Sequence, residues 1–215
     1  AHDHDYYNDH GESDQNNRRV FERIAHKSYR PMNALLEQLL ARHDNFKLTL
    51  SITGTFLEQA EAWAPDVLES FKRLVATGKV EILAETYNHS LSFFYSKSQF
   101  EREVKMHKDK IYELFGVTPT VFRNTELAYN NELAKWAENR GYRGILAEGW
   151  DPILEWRSPN HVYTAAGTKN LGLLLKNYRL SDDLAFRFGN QSWAEWPLTA
   201  HKFSQWANHN SPGSR

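Results

Sequence analysis

Cysteine is absent from the 215 residues, which excludes a disulfide framework and a thiolate zinc site and leaves the redox compartment open. No apolar run is long enough to span a bilayer, and the first residues show no signal-like hydrophobic region. Charge of neither sign is in excess: 26 Lys and Arg stand against 27 Asp and Glu, with no basic stripe to neutralise phosphates. Neither a nucleic-acid partner nor a membrane is expected, and a cytoplasmic location follows by elimination. Internal repeats and low-complexity tracts are missing too. What is present suffices for one sizeable core, at 40% hydrophobic residues. Seven Trp and ten Tyr add flat apolar faces of the kind that grip pyranose rings, although the same rings also fill cores.

Helix and strand signals alternate along the chain. Residues 1–17 are polar and rich in His and Asp, and read as a loop. Helical periodicity starts near Arg18, with Val20, Phe21, Ile24 and Ala25 on one face, and Pro31 breaks that helix or opens the next. Residues 46–52 alternate apolar and polar as a strand. Pro65 opens a helix to Ala76 that Gly78 stops, and residues 80–84 form a second strand with Glu85 and His89 beyond its tip. Ser98 caps a long helix closed by Gly116. A third strand, residues 120–126, ends on Glu126, and a helix follows from about Asn130. Residues 142–147 form a fourth strand tipped by Glu148, with shorter candidates at 162–166 and 171–175. Residues 182–188 read as a turn or short helix, and the tail from Ala207 as a loop. The expected fold is α/β with a parallel sheet, closed or open, in a single domain spanning residues 1–215.

The charged strand tips matter most. Strand, polar tip, helix is the βα unit whose carboxyl end bears the catalysis in α/β barrels. Glu85, Glu126 and Glu148 all follow apolar strands, and in a barrel such tips converge. Arg123, three residues before Glu126, could hold that carboxylate ionised for nucleophilic attack. The same two residues also read as a structural ion pair at a strand end. Glu85 taken alone reads as a solvated loop acid or as a functional carboxylate, and His89 as a hydrogen-bonding scaffold or as a ligand or base. His2, Asp3 and His4 could suggest a metal, but a solvated polar loop is the plainer reading.

Several segments resemble glycoside hydrolase family 57, and in particular its α-amylase-like branch. They are Leu83-Ala84-Glu85-Thr86-Tyr87-Asn88-His89-Ser90-Leu91, Phe122-Arg123-Asn124-Thr125-Glu126-Leu127-Ala128-Tyr129 and residues 141–149. Residues 174–183, 192–199, 51–54 and 3–8 extend the similarity over nearly the whole chain. The resemblance implies a distorted (β/α)7 barrel that acts on α-1,4-glucans or maltooligosaccharides with retention of configuration. It implies Glu126 as the nucleophile and Glu85 and His89 in the same cleft, with Trp150, Asp183 and Trp193 as wall residues. Arg123 would hold the nucleophile ionised. A retaining glycosidase needs two carboxyl groups about 5 to 5.5 Å apart, one attacking and one protonating the leaving oxygen. No metal or organic cofactor is called for.

The sequence departs from the family pattern in two places. The family's first strand, ending in a His-Gln motif, has no counterpart before Ala1, and its acid/base aspartate, expected in a segment reading Asp-x-Glu-x-Phe-Gly after Trp206, is not found. The barrel is thus expected to lack a first and a late strand, so the chain reads as a fragment of a longer α-glucan-active enzyme. A catalytically inactive carbohydrate-binding relative and a metal-dependent deacetylase-like barrel are the alternatives. Homo-oligomerisation stays open, since exposed sheet edges are surfaces that a second copy can cover.

Overall fold

The computed structural model describes residues 13–209. His2, Asp3 and His4, the matching stretch 3–8 and the last six residues of the tail lie outside them. The chain divides into two compact units, one up to Thr120 and one from Val121.

In the first unit, α1 (Ser13–Ile24) runs through a π-helical stretch, Ala25–Tyr29, directly into α2 (Arg30–Arg42). Pro31 sits in the first turn of α2, where its missing N–H matters least, and the wider stretch before it accommodates the ring. The strand expected over 46–52 is shorter, β1 (Leu48–Leu50), and pairs in parallel with β2 (Val80–Ile82), Leu50 opposite Ile82. Between them lie α3 (Gly54–Trp63) and α4 (Pro65–Ala76). Sequence reasoning passed over α3, although Thr53 caps it by accepting the Phe56 N–H, and Phe56, Leu57 and Ala60 supply its buried face. The long helix α5 (Lys97–Phe115) is capped by Ser96, not Ser98: the Ser96 hydroxyl accepts the Gln99 N–H. It closes on Gly116 at φ 68°. Tyr29, Phe56 and Phe71 meet edge to face and Phe21 lies tilted against Phe56, a cluster in the core with ring centroids 5.2–6.3 Å apart.

The second unit is a four-stranded sheet in the order β3 (Val121–Arg123), β4 (Gly144–Glu148), β6 (Gly172–Lys176), β5 (Tyr163–Thr164). The first three strands are parallel and β5 runs antiparallel to β6. Among the described residues each sheet is open, and the structure shows an α/β fold with parallel strands. The helix α6 (Asn131–Asn139), capped by Asn130, packs on the sheet through Trp136, whose ring lies 5.0 Å from that of Phe122. Short helices α7 (Asp151–Leu154) and α8 (Tyr178–Asp182) follow β4 and β6. The part of the tail expected to be a loop includes Ala207 to His209, which belong to α9 (Ala200–His209). Thr199 accepts the Lys202 N–H at its start, and Phe203, Trp206 and Ala207 face inward at helical spacing.

One contact in the first unit has no slack. Gly54 N–H donates to the Tyr87 carbonyl, and a Cβ on Gly54 would come within 2.4 Å of the Tyr87 ring. The Tyr87 hydroxyl is anchored to Glu58 at 2.6 Å, so the ring cannot swing away freely. Gly54→Ala should destabilise the protein by about 1–3 kcal/mol in chemical denaturation, whereas an unchanged midpoint would mean that this packing is wrong.

Candidate active site

In the first unit, the sequence that follows β2 turns inward. Glu85 is only 1% exposed, so the solvated-acid reading does not hold for it. Its Oε1 accepts a hydrogen bond from the Ser51 hydroxyl, 2.7 Å away at the end of β1. His107 of α5, fully buried, donates from Nε2 to the Ile52 carbonyl at 2.8 Å, which fixes its tautomer and leaves Nδ1 without a hydrogen-bond partner. Burial lowers the His107 pKa, and the nearby Glu85 carboxyl and the Ile52 hydrogen bond oppose that shift. One turn earlier, Glu103, 3% exposed, accepts the Asn88 N–H at 3.0 Å and the Gln99 amide at 3.0 Å. His89 itself lies in the left-handed region at φ 55° and is half-buried. Ser51, Glu103 and His107 were not singled out from the sequence. A usable signal was there: Glu103 and His107 are polar residues inserted at i and i+4 into the apolar stripe of Phe100, Val104 and Ile111.

In the second unit, the parallel register sets Arg123 opposite Leu146 and Glu148 opposite Lys176. The segments after β3, β4 and β6 therefore leave from the same edge, the carboxyl end where α/β sheets carry their ligands. Strand β3 stops at Arg123, and Glu126 stands on a 3₁₀ turn, Thr125–Leu127. Glu126 (φ 54°) and Leu127 (φ 57°) are both left-handed. Such a conformation costs roughly 1–2 kcal/mol for a side chain with a Cβ, and it persists where the surroundings over-determine it. Buried Asn124 supplies that constraint: its amide donates to the Ala128 carbonyl at 3.0 Å and its own carbonyl accepts the Leu127 N–H at 3.0 Å. Glu126 is exposed at the surface of this unit. Glu148 is held beside Lys176, 3.4 Å away.

The three expected wall residues fall into two hollows of this unit. Trp150 lines an apolar one of about 570 Å³ with Leu127, Tyr129 and Glu148, next to the Glu126 turn. Asp183 and Trp193 line a more polar one of about 680 Å³. Asp183 is 8% exposed and tied to Arg187 at 2.6 Å. Among the described residues, no group of three or more His, Asp or Glu could hold a metal ion, and no helix is long and apolar enough to cross a membrane.

The profile of glycosyl hydrolase family 57 matches residues 3–214. The chain belongs to that family. Over 191 residues it is 47% identical to a Methanocaldococcus jannaschii protein named "Putative alpha-amylase", covering 88% of this chain and 40% of the relative's length. The chain thus spans well under half of that protein. Among solved structures it is similar to the 4-alpha-glucanotransferase from Thermococcus litoralis, with a TM-score of 0.66 and 23% identity over 78% of this chain and 26% of the other. It is also similar to a "putative polysaccharide deacetylase" from Mycobacterium smegmatis, with a TM-score of 0.53 and 20% identity over 73% of this chain and 50% of the other. At such identities the two structures share the fold with this chain and nothing finer.

Two measurements check these environments. The folded pKa of His107 lies below its ordinary 6.5, so below that pH the unfolded chain takes up a proton that the folded chain refuses. The stability contributed by neutral His107 is full above pH 6.5 and falls with pH below it, by up to about 1.4 kcal/mol per pH unit. His107→Gln, which retains a donor for Ile52, should flatten that slope in denaturation series between pH 7 and 5; an unaltered slope would contradict the assignment. Glu126→Gly should raise the unfolding free energy by about 1 kcal/mol by relieving the left-handed strain, and a loss of stability would mean that the side chain holds the fold together.

Proposed function

We propose that this chain carries the nucleophile of a retaining, α-glucan-active glycosidase that cleaves or transfers α-1,4 bonds, and that Glu126 is that nucleophile. The observation that carries the reading is the constrained turn: an exposed carboxylate held in a left-handed conformation at the carboxyl end of a parallel strand, in a chain of family 57. Residues in sparsely populated backbone regions, over-determined by their neighbours, concentrate at functional sites. The name of the Methanocaldococcus jannaschii relative points to the same substrate class.

In the proposed reaction, a Glu126 oxygen attacks the anomeric carbon as the glycosidic oxygen leaves with a proton from an acid. The resulting glycosyl ester is then opened by water, or by a sugar hydroxyl in transfer. Arg123, the last residue of β3, keeps the carboxylate ionised in this scheme. In the first unit, His89 is the candidate for binding a substrate hydroxyl, and buried Glu85, bonded to Ser51, holds the segment that carries it, with Glu103 and His107 positioning the backbone around them. None of the described carboxylates is assigned as the acid. The distorted (β/α)7 barrel as a single domain, a cytoplasmic location and self-association belong to the same proposal.

Glu126→Gln keeps the shape and removes the nucleophile. In the full protein it should lower turnover of maltooligosaccharides by about a thousandfold or more while changing their affinity little. A variant with undiminished turnover would refute the assignment. A wild-type protein that binds glucan but over long incubation neither releases reducing ends nor redistributes maltooligosaccharide chain lengths would instead make this chain a binding protein.

A further inference from the structure

The polar hollow of the second unit is built for more than a wall. Trp193 and Trp206 meet edge to face with centroids 6.1 Å apart; both are only half-buried and line the cavity, with the Lys202 ammonium 5.3 Å from the Trp206 ring. Opposite chemistry comes from Asp151, Asn160, Asn177 and Arg179. These groups are already ordered. The Asp151 carboxylate accepts from the Tyr178 hydroxyl at 2.7 Å and from Arg179 at 2.6 Å, and the same hydrogen bonds hold its pKa below the usual range. The Asn177 amide donates to Asn160 Oδ1 at 3.1 Å and its oxygen caps α8. Planar, preset hydrogen-bonding groups facing half-buried aromatic rings match a ligand with hydroxyls at its rim and C–H faces above and below.

Charge narrows the class. Asp151, Asp183 and Glu195 line the hollow as members of ion pairs, with Arg179, Arg187 and Lys202, and Glu155 balances Arg157 there. The lining offers no surplus positive charge to a phosphate or other anion, whereas a neutral polyol needs none. The hollow also adjoins the one beside the Glu126 turn, since Arg157 lines both and is pinned there by the Ile153 and Leu154 carbonyls at 2.9 and 3.1 Å. A volume of about 680 Å³ lies within the roughly 300–1,000 Å³ of small-molecule sites.

We propose that this hollow is a separate binding subsite for a neutral oligosaccharide, which stacks on Trp193 and Trp206 and is hydrogen-bonded by Asp151, Asn160 and Arg179. The choice of an α-glucan as ligand rests on the function proposed above; the location does not. Trp206 and Asn160 become specificity residues, neither of which the sequence marked.

The test follows the tryptophan indoles by NMR in the full-length Glu126→Gln protein, with maltoheptaose as the probe. The two indole signals assigned by Trp193→Phe and Trp206→Phe should shift on titration. Trp206→Ala should weaken maltoheptaose binding about tenfold, and Asn160→Ala about threefold, each in calorimetry. Inorganic phosphate should move neither signal. The proposal is overturned if maltoheptaose leaves both indoles unmoved, if phosphate moves them and the sugar does not, or if both truncations leave affinity within twofold. Undiminished turnover by Glu126→Gln would overturn the nucleophile alone, since the indole shifts do not depend on chemistry.

Discussion

Parallel pairing of short strands is the constraint on which the rest of this protein depends, because it sends the segment after each strand out of the same edge. In the first unit, the pairing of Leu50 with Ile82 brings Ser51 within 2.7 Å of Glu85 and sets the Ile52 carbonyl where His107 reaches it. In the second, the register of β3, β4 and β6 puts the Glu126 turn, Glu148 and Lys176 at one end of the sheet. A one-residue slip in either sheet would turn these groups to the opposite face. The polar chemistry is thus fixed by backbone hydrogen bonds before any side chain contributes.

The two units stabilise their polar residues by different means. Glu85, Glu103 and His107 are buried, and buried polar groups are costly unless hydrogen-bonded. Serine, main-chain and glutamine partners offset that cost here. Glu126 is exposed and suffers little desolvation, but its backbone is strained. Its turn is closed by Asn124, whose Oδ1 is buried without a hydrogen-bond partner. Both arrangements hold carboxyl groups in fixed positions, which is what positioned acid, base or nucleophile chemistry requires.

The sequence made the strands and their charged tips legible because an apolar run closed by a carboxylate is a local pattern. Glu126 was singled out for that reason, although β3 ends three residues before it and the residue stands on a turn, and the resemblance to family 57 agrees with the match over residues 3–214. Local signals failed where the structure depends on approach through space. His107 meets Ile52 across 55 residues, and nothing near either residue announces the contact. Helices α3 and α9 were missed although each has a threonine cap, since their apolar faces are narrow and interrupted by Glu, Gln and Ser. Trp150, Asp183 and Trp193 were grouped as walls of one cleft. They line two different hollows of the second unit, with Trp150 in one and Asp183 and Trp193 in the other, a separation that depends on how the chain folds back after β4 and that no local pattern announces.

If a glycosyl ester forms on Glu126, it can be caught. An α-glucosyl donor with a good leaving group and a fluorine on the ring forms such an ester readily and hydrolyses it slowly, because the second step also passes through an oxocarbenium-like transition state. Peptide mass spectrometry of the full protein after this treatment is the direct measurement. The account predicts one added fluoroglucosyl mass on the peptide containing Glu126. An adduct on another carboxylate, or consumption of the donor with Glu126 unmodified, would contradict it.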